Sequence, residues 1–74
     1  MKKKLLSYEN LMMVNYDGDN EIYELVFQEN KKSYIIAAKA SDHKVAESDE
    51  DYFDNKEVVE KIIADTDEEE IIEA

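Results

Sequence analysis

One pair of residues, Asn30 and Lys31, constrains the fold of this chain more than any other feature. Placed as the two-residue loop of a hairpin, the pair sets Phe27 opposite Tyr34, Leu25 opposite Ile36 and Tyr23 opposite Ala38. Side chains alternate across a strand, so all three pairs share one face, which is the expected core side. The opposite face carries Ile22, Glu24, Val26, Ile35 and Lys39, a mixture suited to solvent or to a partner.

Three segments read as strands. Residues 22–27 and 34–38 are rich in β-branched and aromatic side chains, and residues 11–16 precede them. Between the first two lies Asp17-Gly18-Asp19-Asn20, which holds the only glycine and has the composition of a hairpin turn. A turn centred on Asp17-Gly18, or widened to four residues, brings Met12 and Val14 to the core face. Residues 1–10 are open between a short helix and a lead into a strand. Residues 41–52 form a connector, with a short strand near Lys44-Val45-Ala46 as one option.

Helix signals follow. Asp54 is the expected N-cap with Glu57 three residues on, and Phe53 and Val58 take the two positions of a hydrophobic staple. Val58, Val59, Ile62 and Ile63 form a stripe at helical spacing, which predicts a helix over residues 55–65. Ile71 and Ile72 point away from that stripe, so a break is expected near Asp65-Thr66. Thr66 and Glu69 then make a second capping pair, opening a short acidic helix or tail. The expected fold class is α+β, a three-stranded antiparallel meander packed by one C-terminal helix. Residues 1–65 make a single small domain and residues 66–74 an acidic extension.

The charge is divided unevenly. Residues 47–74 hold thirteen acids and two lysines, which accounts for the whole net charge of −11, while the first 46 residues balance seven acids with seven lysines. Arginine, the usual residue for bidentate phosphate and base contacts, is absent. Such a chain is repelled by nucleic acid and by anionic membranes, and the partners it suits are basic. With 74 residues and no cysteine, the core is small and has no disulfide or zinc to staple it. Lysines at positions 2–4 followed by Leu5-Leu6 imitate the start of a secretory signal, but the apolar run stops at Ser7. No segment has the length of a membrane span, and the cytoplasm is the expected compartment.

Catalytic and metal readings are weak. His43 is the single histidine and lies in a polar connector. General acid–base work needs a carboxylate in an apolar cleft, which a body of this size hardly builds, so no enzymatic activity and no cofactor are expected. Asp17-x-Asp19-x-Glu21 begins like a calcium-binding loop, but Ile22 stands where glycine is required and Gln28 where the closing glutamate belongs. Tyr23 and Tyr34 occupy core positions, which leaves little of a base-stacking platform.

The acidic half is therefore the candidate site. It consists of Glu47, Asp49, Glu50, Asp51, Asp54, Glu57, Glu60, Asp65, Asp67, Glu68, Glu69 and Glu70. On a helix, carboxylates three or four residues apart are about 5–6 Å from each other at Cβ, a stiff row able to imitate a phosphate backbone. The hairpin over residues 22–38, the run Ser48-Asp49-Glu50-Asp51 and the helix over residues 56–64 together resemble small phage inhibitors that mimic nucleic acid. Among these are anti-CRISPR proteins that occupy the DNA-entry or PAM-reading cleft of Cas9. The resemblance is one of topology and charge. It implies a non-enzymatic inhibitor whose acids fill the basic groove of a nuclease or other host-defence enzyme. The hairpin also resembles small acidic bacterial proteins of unknown function, which continue with further strands. The alternative is an acidic interaction module or regulatory subunit that binds through its sheet face.

Overall fold

The computed structural model describes residues 6–45 and 50–73. Its elements run in the order β1 (Leu11–Asp17), β2 (Ile22–Glu29), β3 (Lys32–Lys39), α1 (Ala40–His43), α2 (Lys56–Asp65) and β4 (Ile72–Glu73). Short 3-10 turns precede β1 at Tyr8–Asn10, lead into α2 at Glu50–Asp54 and precede β4 at Glu68–Glu70. The strands form one antiparallel sheet in the order β1-β2-β3-β4. The expected meander is thus the body of a four-stranded sheet.

The β2–β3 hairpin has the expected register: Phe27 pairs with Tyr34, Leu25 with Ile36 and Tyr23 with Ala38. Asn30 and Lys31 both adopt positive φ, at 53° and 68°, as the mirror-image turn that matches strand twist requires. Tyr23, Leu25, Phe27 and Ile36 have no accessible surface. Across them packs the apolar side of α2, through Val59, Ile62 and Ile63. Leu6, ahead of the first 3-10 turn, and Phe53, within the second, close the cluster, together with Ala40 at the start of α1 and Val45 just past its end.

The first hairpin departs from expectation. Its loop spans residues 18–21, and the left-handed residue is Glu21 at φ 55°, not Gly18. The Asp17 carboxylate holds this loop by accepting from the Asp19 N–H at 3.0 Å and the Asn20 side-chain amide at 2.9 Å. Asp17 therefore pairs with Ile22 and Val14 with Leu25. A bulge between Leu11 and Met13 then shifts the phase, so Leu11 faces Phe27 and Met12 is left 58% exposed. Val14 packs on the core as expected and Met12 does not.

The connector and the helix ends also differ in detail. Residues 40–43 are helical, and Lys44 ends that turn at φ 54°, with the Val45 N–H donating to the Ala40 carbonyl at 3.1 Å. Ala46 of the expected short strand lies outside the described residues. The N-cap of α2 is Asn55, one residue past Asp54. Its side-chain oxygen accepts from the N–H groups of Glu57, at 2.9 Å, and Val58, at 3.3 Å. At the other end Thr66 is buried and turns its hydroxyl back to the Ile62 carbonyl at 2.7 Å. Asp67 and Glu70, not Thr66 and Glu69, form the second capping box. The turn they close brings Ile71 against the core and pairs Ile72 with Ile35.

Candidate functional site

The acids of the C-terminal half are presented by the layer that covers the sheet. One side of α2 is committed to the core through Val59, Ile62 and Ile63, so geometry sends Glu57, Glu60 and Asp65 outward. All three are exposed, as are Asp51 and Asp54 before the helix and Asp67, Glu68, Glu69 and Glu70 after it. Glu50 belongs to the 3-10 turn at the start of this run. Glu47 and Asp49 lie outside the described residues. Ten residues of α-helix span about 15 Å, and Glu57, Glu60 and Asp65 are spread over the outward surface of that length.

The N-terminal turn joins this layer, which the sequence order hides. The Tyr8 hydroxyl donates to the Asp54 carbonyl at 2.8 Å and lies 3.3 Å from its Oδ1. Glu9 meets Lys56 at 3.6 Å. Hydrogen bonding to its own backbone and to the Ser7 hydroxyl, together with the Lys56 charge, holds the Glu9 carboxyl below the usual carboxylate range. The Tyr8 hydroxyl is pushed up by partial desolvation and by the adjacent Asp54. Glu9 thus neutralises one of the two lysines that stand among the acids of residues 47–74. Its separation from Lys56 by 47 residues leaves no local signal that would have found it.

The rest of the surface offers little chemistry. His43 is half-buried, with its ring centroid 6.2 Å from Tyr52 and 6.4 Å from Phe53, beside an aromatic series that continues through Tyr23 and Tyr16. Among the described residues no three acids or histidines are grouped to hold a metal ion. No helix among them is long and apolar enough to cross a membrane. The sheet face turned away from α2 carries Ile22, Glu24, Val26 and Ile35 half-buried, with Lys39 exposed. Compared with family models, with curated proteins and with solved structures, the chain matches none.

Proposed function

We propose that this protein is a non-enzymatic inhibitor that mimics nucleic acid, its acidic layer filling the basic groove of a nuclease or similar defence enzyme such as a CRISPR effector. The observation that carries this reading is the outward presentation of Asp51, Asp54, Glu57, Glu60, Asp65 and Asp67–Glu70 on one folded layer. Because α2 is anchored by its apolar side, the row loses little freedom on binding. A groove built for phosphates gains steering and counterion release from such a row, as it does from its own ligand. Lys56, the cation nearest the start of the helix, is already engaged by Glu9 and subtracts little from the field.

The test is retention of a partner from host lysate on the immobilised protein, at low and moderate salt, with and without competing duplex DNA. The reading expects a basic nucleic-acid enzyme that DNA displaces. It also expects Glu57→Lys with Glu60→Lys to reduce retention by about tenfold or more while circular dichroism stays unchanged. A retained partner indifferent to salt and to DNA ends the proposal.

A further inference from the structure

The open face of the sheet carries an apolar row that crosses every strand. Met13 pairs with Val26, Val26 with Ile35 and Ile35 with Ile72. The ends of the row are the most open, Met13 at 52% and Ile72 at 60% exposed. Two further rows lie beside it, Asn15–Glu24–Ala37 and Asp17–Ile22–Lys39. We infer that this face is where two copies of the chain pack together, sheet on sheet, about a two-fold axis that runs along the strands between β2 and β3.

That axis lays each row over itself with the strand order reversed. Val26 of one copy meets Ile35 of the other, and Met13 meets Ile72. Glu24 falls over Ala37, a small exposed residue that leaves it room. Lys39 falls over Ile22, its aliphatic stem on apolar surface and its ammonium beside Glu24 and Asp17 of the other copy. The one cation of these three rows is therefore set between acids across the contact, and the arrangement is reciprocal, as an isologous interface demands. Two sheets related in this way pack with their strands aligned, at about −30° and about 10 Å apart.

Charge favours this face over any other for self-association. The acids of residues 51–70 lie on the layer behind the sheet, so a sheet-to-sheet dimer keeps the two acidic layers on its outer sides. Three strands of seven and eight residues, about 4.8 Å apart, give a contact of about 750 Å² over both copies, below the size of stable specific interfaces and in the range of weak, transient ones. The association is accordingly weak and concentration-dependent. It is independent of the mimicry reading, because it uses none of the acidic layer's residues.

Sedimentation equilibrium of the full chain, from about 10 μM to about 1 mM at about 0.15 M salt, tests it. The expected result is a monomer–dimer equilibrium. Lys39→Glu and Glu24→Lys should each weaken it by about tenfold, and the two together should return it to within about threefold of the parent. Both positions are on the surface of the sheet, and circular dichroism verifies that each variant stays folded. Monomer throughout the range, or a dimer that ignores both charge reversals, overturns the inference.

Discussion

Lys31 sits in a backbone conformation that its own Cβ resists. At φ 68° it occupies the second position of the β2–β3 loop, where glycine is the favoured residue. A non-glycine residue in this region costs about 1–2 kcal/mol, and glycine gives back part of that through the freedom it adds to the unfolded chain. Lys31→Gly should therefore stabilise the protein by about 0.5–1 kcal/mol, read as a higher midpoint in thermal or urea unfolding. A lower midpoint would mean that the lysine makes compensating contacts. The same loop explains what was legible at this scale. Two residues closing two strands leave one register, so Tyr23, Leu25, Phe27 and Ile36 could be assigned to the core from sequence. Of the two turns open to the Asp-Gly pair, the four-residue one forms, set at residues 18–21 and not centred on Asp17-Gly18. The Asp17 carboxylate organises this loop, with its acidity increased chiefly by the hydrogen bond it accepts from the Asn20 amide. Met12 was misplaced because a bulge has no composition of its own.

Among the elements, the 3-10 turn over Glu50–Asp54 has an influence beyond its length. It inserts Phe53, 1% exposed, against Tyr23 at a ring-centroid distance of 4.8 Å and beneath Tyr52 at 5.1 Å. Removing a buried phenylalanine costs about 3–5 kcal/mol, and a domain of this size has little more than that in reserve. Phe53→Ala is expected to leave the chain largely unfolded at 37 °C, whereas Phe53→Leu retains the fold with a reduced urea midpoint. Near-ultraviolet circular dichroism of the tyrosines separates the two outcomes, and an alanine variant that unfolds normally would place the core's weight elsewhere. In the sequence alone Phe53 fits a helix staple equally well, since that motif also buries an aromatic just before a helix. A similar ambiguity affected the end of the chain. Ile71 faces the core and Ile72 faces the open side of the sheet, an alternation with the period of a strand. Two residues are too few to distinguish that period from a helix, so β4 was unreadable. The acidic row was legible because charge needs no periodicity to be seen. The part Glu9 plays in it was not, since only the fold brings the first turn beside Lys56.

For the molecule as a whole, a net charge of −11 on a body 31 × 24 × 20 Å in extent is a standing cost to compactness. Among the described residues, the surface ion pairs of Lys32 with Glu73 at 3.5 Å and of Lys56 with Glu9 at 3.6 Å join exposed side chains and offset little of it. At about 0.01 M salt the screening length is about 30 Å, so every acid is repelled by nearly every other. At about 1 M it falls to about 3 Å, and only immediate neighbours still interact. Added sodium chloride should therefore raise the thermal midpoint of the free protein, by about 5 °C or more between those limits. Binding through the acidic layer responds in the opposite sense, because the same screening removes the steering and counterion release on which mimicry depends. A single salt series thus reads both quantities: unfolding midpoint by circular dichroism and partner retention on the immobilised chain. Mimicry requires the two curves to diverge. If retention rises with salt alongside stability, binding energy lies in apolar contact, and the open sheet face becomes the surface to mutate.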